Sequence, residues 1–100
     1  MEWIKLPLAA LEPEGRALIE HDGVEIAVFR IDGDIHAFEN ACPHEGNPLI
    51  EGEVLGPSLT CAYHGWTFDL ETGACLVGLE AARRFPAEVH AGEVWVGVAP

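Results

Sequence analysis

The sequence predicts an all-β chain, a small antiparallel β-sandwich or barrel. Turn signals recur about every eight to twelve residues, the spacing of short strands joined by tight turns. Between them apolar and polar residues alternate, as at Val94, Val96 and Val98, the period-2 pattern of a strand with one buried face. Eleven glycines and seven prolines in 100 residues leave little room for helix.

From the N-terminus, Leu6–Leu11 is the first of two segments able to hold a helical turn. Ala17 to His21, then Asp22-Gly23, then Val24 to Ile31 reads as a hairpin. An Asp-Gly pair suits a two-residue turn with positive φ. Asp32-Gly33-Asp34 turns the chain again into Ile35–Glu39. Residues 40–75 break this rhythm with a loop-rich insert, the kind of segment in which function concentrates. Leu79–Arg84 is the second possible helical turn. The tail returns to strands, with Ala87–His90, a turn at Ala91-Gly92, and Glu93–Val98. The alternation of Glu88 and His90 against Val89 turns Val89 inward.

One hundred residues predict one domain. Its 49% apolar content supplies a core that a disordered acidic tail would lack. Seventeen acidic residues against five basic ones give a formal charge of −12. Nucleic-acid backbones and anionic membranes repel such a protein, so the expectation is no nucleic acid and no membrane. A basic docking face on a protein partner is favoured instead. The start Met1-Glu2-Trp3-Ile4-Lys5 carries no signal-peptide pattern, and the longest apolar runs have four residues, such as Ile26–Phe29. The expected location is the cytoplasm. Three cysteines are an odd number for a disulfide framework.

The informative constellation is Cys42-Pro43-His44 and Cys61-Ala62-Tyr63-His64, with sixteen residues between the two pairs. Each half supplies one thiol and one imidazole from a tight loop. Gly46 and Gly65 let the backbone bend sharply and let amide N–H groups approach a buried anion. Two sulfur and two imidazole ligands fit zinc or an iron–sulfur centre. Structural zinc sites more often pair Cys with Cys and His with His, so the mixed loops favour iron–sulfur.

At these residues the chain resembles the Rieske-type [2Fe-2S] ferredoxins, the small ferredoxin components of ring-hydroxylating dioxygenase systems. Asp32–Phe38 leads into Cys42-Pro43-His44-Glu45-Gly46-Asn47-Pro48-Leu49, and Cys61–Asp69 leads into Glu71-Thr72-Gly73, in the family's order and spacing. The resemblance covers nearly the whole chain. It implies a single Rieske domain over 1–100 with a cluster-binding subdomain at about 40–75. Cys42 and Cys61 would hold one iron, His44 and His64 the other. Such a cluster is neutral when oxidised and carries one negative charge when reduced, so it takes an electron more readily than an all-cysteine cluster. Asn47 and Tyr63 stand where high-potential members carry a disulfide. Trp66 and Phe68 stand where those members place a Ser and a Tyr hydroxyl. Both departures imply the low end of the roughly −150 to +300 mV Rieske range.

The implied function is one-electron transfer, without catalysis, from a flavin-dependent NAD(P)H reductase to a terminal oxygenase or reductase. The carrier would be a monomer, too short to hold a catalytic iron domain. The alternatives are the small Rieske subunit of a nitrite-reductase-type enzyme and, in another class, a zinc-stabilised interaction module. Among the other residues, Trp3 and Trp95 are expected in the core, Cys75 buried, and His21, His36 and His90 at the surface or a sheet edge. Trp66 would pack under the cluster as a shield against water or, partly exposed, belong to a docking patch. Arg83-Arg84 would pair with surface carboxylates. Glu45, Glu51 and Glu53 flank the first loop, where a basic partner would dock.

Overall fold

The three Gly-containing turns foreseen in the sequence close three hairpins of one kind. Asp22-Gly23, Asp32-Gly33 and Ala91-Gly92 all have positive φ at both residues, 51° and 80°, 51° and 87°, 50° and 78°. This is the turn whose twist matches that of paired strands. In the computed structural model, which describes residues 2–43, 46–63, 65–76 and 80–98, these turns join β2 (Arg16–His21), β3 (Val24–Ile31) and β4 (Asp34–Glu39), and separately β9 (Ala87–His90) and β10 (Glu93–Val98). The remaining strands are β1 (Glu2–Pro7), β5 (Glu53–Leu55), β6 (Ser58–Thr60), β7 (Thr67–Asp69) and β8 (Arg84–Phe85). They form three antiparallel sheets, ordered β1-β10-β9, β2-β3-β4-β8 and β5-β6-β7.

The middle sheet is covered on both faces, which is why β3 reads as the unbroken run Ile26-Ala27-Val28-Phe29. Successive side chains point to opposite faces. Ile26, Val28, Ala37 and Phe85 pack against Leu6, Val94 and Val96 of the first sheet. Ala27, Phe29 and Phe38 pack the other way, against Leu49, Leu59, Phe68 and Leu70. The β5-β6-β7 sheet therefore sits on the face of the middle sheet opposite the terminal strands. It lies within the 40–75 insert, where the sequence loses its strand rhythm because strands of three residues are too short to show one.

Several expectations need correction. The segment Leu6–Leu11 is divided: β1 runs to Pro7, and only Leu8–Leu11 forms a 3-10 turn. Leu79 lies outside the described residues. Of the rest of that segment, Ala81 bridges to Ala74 and Arg84 begins β8, so no helix forms there. Trp3 is 39% exposed, and Trp95 is half-buried. In β10 the valines take the inward positions, and period 2 then sends Trp95 outward, opposite Lys5, whose ammonium lies 4.9 Å from the indole ring. Val89 faces the side of Val94 but stays 43% exposed, because β9 is a sheet edge.

Candidate functional site

Each cysteine opens a five-residue loop that ends in glycine, and the two loops close identically. The Cys42 N–H donates to the Asn47 carbonyl at 2.7 Å, and the Gly46 N–H donates back to the Cys42 carbonyl at 2.7 Å. The Cys61 N–H donates to the Trp66 carbonyl at 2.7 Å, and the Gly65 N–H returns to the Cys61 carbonyl at 3.1 Å. Gly46 and Gly65 have φ of 75° and 71°, a region an L side chain adopts only with strain. Their amides close the loops onto the cysteine carbonyls. Counted from cysteine to glycine the loops have equal length. Histidine is the third residue of one and the fourth of the other.

The first loop is seated between β4 and a 3-10 turn at Leu49–Glu51, the second between β6 and β7. Leu49, Leu59 and Phe68, each fully buried, anchor the flanks. Both thiols are 1% exposed and belong to one apolar cluster. An uncompensated thiolate there would carry a heavy desolvation cost. Paired sulfur donors in such a pocket fit an iron or zinc centre, whose positive charge would offset that cost. None of Cys42, Cys61 and Cys75 is in a disulfide. The predicted ligands His44 and His64 lie outside the described residues, as does Glu45.

The second loop borders an open groove of about 450 Å³, rimmed by Glu51, Glu53, Leu55 and Thr60 and reaching Ala62 and Gly65. Leu55 is 61% exposed and Tyr63 49%. The Tyr63 phenol donates to Glu51 Oε1 at 3.0 Å, tying the second loop to the segment after the first. That hydrogen bond, with the carboxylate charge behind it, holds the phenol pKa above the ordinary tyrosine value. Trp66 is half-buried and packs against the cluster of residues around the thiols.

The other sequence candidates divide. Cys75 is half-buried, not buried, and bridges to Phe68 at the edge of the β5-β6-β7 sheet. His90 is exposed beside Glu88, at 2.8 Å, and His21 is half-buried next to Asp22. His36 is not a surface residue. It is 6% exposed, and its Nδ1 lies 3.2 Å from Arg84 Nη2. A guanidinium can only donate, so Nδ1 accepts and the ring proton resides on Nε2. Arg83 pairs with Glu39 at the surface as expected. Arg84 instead turns inward, donating from Nε to the Leu70 carbonyl at 2.9 Å.

Sequence reasoning missed Asn40 and Arg16. Asn40 is 7% exposed, and its Oδ1 accepts the Ile50 N–H at 2.7 Å. Arg16 Nη1 donates to the carbonyls of Ile50 and Gly52 at 2.8 and 2.7 Å. The polar character of Asn40 at the end of an apolar strand was the one local signal. Arg16 had none, since its partners lie 34 and 36 residues away.

Comparison with known proteins bears on what these loops hold. The family model described as the Rieske [2Fe-2S] domain matches residues 3–90. The ferredoxin component of the naphthalene 1,2-dioxygenase/salicylate 5-hydroxylase systems of a Ralstonia species is 32% identical over 75 residues, 74% of this chain and 72% of that protein. The oxidoreductase NdmD of Pseudomonas putida is 41% identical over 73 residues, 69% of this chain, yet the match spans only 12% of its length. Among solved structures, a chain of the complex of reduced oxygenase and oxidized ferredoxin in carbazole 1,9a-dioxygenase superposes with a TM-score of 0.83 at 28% identity, covering 94% of this chain and 91% of that one. A Mycobacterium tuberculosis chain assigned as the small subunit of an NADH-dependent nitrite reductase gives 0.84 at 26% identity, covering 99% and 97%. Matching loops, paired buried thiols and a family match over most of the length converge: this chain is a member of the Rieske [2Fe-2S] domain family.

Proposed function

We propose that this protein is a one-electron carrier of an oxygenase system, with a single domain over 1–100 whose segment 40–75 holds a Rieske [2Fe-2S] cluster. Cys42 and Cys61 bind one iron and His44 and His64 the other. The observation that carries this is the pair of equivalent loops, each offering one buried thiol to the same apolar cluster. When bound, a cluster with two thiolates and two imidazoles accepts one electron at a higher potential than an all-cysteine cluster. The chain's own residues set the conditions. Leu49, Leu59, Phe68 and Trp66 exclude water from the sulfur side. Phe68, fully buried, brings no hydroxyl to that side. The midpoint potential is therefore expected at the low end of the roughly −150 to +300 mV range. A spectroelectrochemical titration checks it, and a clearly positive value near neutral pH would contradict it.

Electrons would come from a flavin-dependent NAD(P)H reductase and pass to a terminal oxygenase, with the carrier working as a cytoplasmic monomer. The acid rim of the groove beside Cys61 supports a partner with a basic face. Glu53→Lys is expected to slow transfer several-fold at low salt, with the difference from wild type shrinking as salt rises. Stopped-flow recovery of the oxidised cluster's absorbance, as the partner takes the electron, measures this. The similarity to a nitrite-reductase small subunit supports a second reading, in which the acceptor is that type of enzyme. Reconstitution against reductases, oxygenases and nitrite reductases separates the two. One electron per chain delivered only to an oxygenase is the expected result. The described residues include no helix long and apolar enough to cross a membrane.

A further inference from the structure

Five basic residues stand against seventeen acidic ones, yet two of the five are turned inward. Arg16 on β2 and Arg84 on β8 occupy the two opposite edges of the middle sheet. Register places both on the same face, Arg16 in line with Phe29 and Arg84 with Phe38. Each guanidinium lies over its ring, at 5.0 and 5.8 Å, and the two rings meet edge to face at 6.4 Å. Each reaches the backbone of the 40–75 lobe. Arg16 donates to the carbonyls of Ile50 and Gly52, just after the first loop. Arg84 donates to the carbonyl of Leu70, just after β7, which follows the second loop. Ile50 is thus held at both backbone groups by the scaffold, its carbonyl by Arg16 and its N–H by Asn40. Nη2 of Arg84 is steadied in turn by buried His36. The exposed pairs Arg30–Glu12 and Arg83–Glu39 have no such reach.

We propose that Arg16 and Arg84 are positioning residues, two clamps that hold the segments following the two ligand loops against the middle sheet and so fix the spacing of the loops. The proposal builds on the ligand assignment above. Strands of three residues offer few ladder hydrogen bonds, so the β5-β6-β7 lobe depends on its attachment to the layer beneath. Hydrogen bonds from a charged donor to a half-buried carbonyl are the strong kind. A loosened clamp lets the loops part without unfolding the terminal sheet.

The test compares Arg16→Met, Arg84→Met, the conservative Arg16→Lys and Arg84→Lys, and Val94→Ala, which weakens the core on the far side of the middle sheet. Three readouts are taken on the purified protein: cluster bleaching by an iron chelator, the EPR line shape of the reduced protein, and hydrogen exchange of segments 50–55 and 67–71. The Met variants are expected to bleach at least about tenfold faster, with a broadened EPR signal and faster exchange in both segments. The Lys variants should recover part of the loss and remain folded where Met does not. Val94→Ala should lower thermal stability with bleaching unchanged. Wild-type bleaching and exchange in the Met variants, or in the Lys variants where Met does not fold, would overturn the clamps, as would equal acceleration by Val94→Ala. Wild-type protein without a cluster would overturn the ligand assignment instead, and exchange in the two segments would still judge the clamps.

Discussion

Cys42→Ser is expected to abolish the cluster while leaving the two larger sheets folded. A serine oxygen is a hard, weakly acidic donor in place of a soft thiolate, and iron–sulfur centres are held by thiolates. Residue 42 is 1% exposed within the apolar cluster, so the new hydroxyl is also buried without water. That adds a stability loss of about 1–3 kcal/mol, too small to unfold a typical domain. The purified variant should be colourless, with far-UV circular dichroism close to wild type. Cys75→Ser is the matched control, because Cys75 sits half-buried at a sheet edge outside both loops. Its visible spectrum should be intact. A normal spectrum in Cys42→Ser would contradict the assignment of that ligand.

Gly52→Ala is expected to destabilise the lobe and loosen the cluster site. Its φ is −71°, which alanine accepts without strain. The obstacle is space alone. An added Cβ would stand 2.6 Å from the Thr60 carbonyl oxygen, 3.0 Å from the Leu49 carbonyl oxygen and 3.0 Å from Leu59 Cδ1. Two of these are backbone atoms, and Leu59 is fully buried, so none can rotate away. Overpacking of this kind costs about 1–3 kcal/mol, against a gain of about 0.4–1 kcal/mol from a stiffer unfolded chain. Leu49 follows the first ligand loop and Thr60 precedes the second, so the methyl pushes the loops apart. Chemical denaturation should show a net loss of about 1–2 kcal/mol, and the cluster should be lost faster to a chelator. Gly56→Ala gives the contrast. It meets no atom within 4 Å and carries only the strain of φ +57°, in a turn away from both loops.

Local rules made the hairpins legible, because a two-residue turn needs positive φ and Asp-Gly announces it. Ala91 adopts the same conformation with φ 50° and no such announcement beyond the following glycine. The loop residues were legible through spacing, since one loop must hold both a thiol and an imidazole. What escaped was decided at long range. Trp95 looked like core because it lies in an apolar strand, but burial there follows alternation, and the valines beside it hold the inward positions. His36 looked like an edge residue because its partner, Arg84, is 48 residues away. Arg16 and Asn40 carry no motif, and their role arises only once the lobe is folded onto the middle sheet. The run Ile26–Phe29 was visible, but its meaning, burial on both faces, needed the third sheet.

On the proposed assignment, two thiolates and two imidazoles of this chain hold one [2Fe-2S] cluster. Pulsed EPR of the dithionite-reduced protein tests it most directly, because it reports the unpaired electron and the nitrogens bound to iron together. The expected result is a half-spin signal with hyperfine coupling to two imidazole nitrogens, reduced to one in His64→Cys wherever that variant assembles. A silent, colourless protein containing zinc, or a signal with no nitrogen coupling, would contradict it.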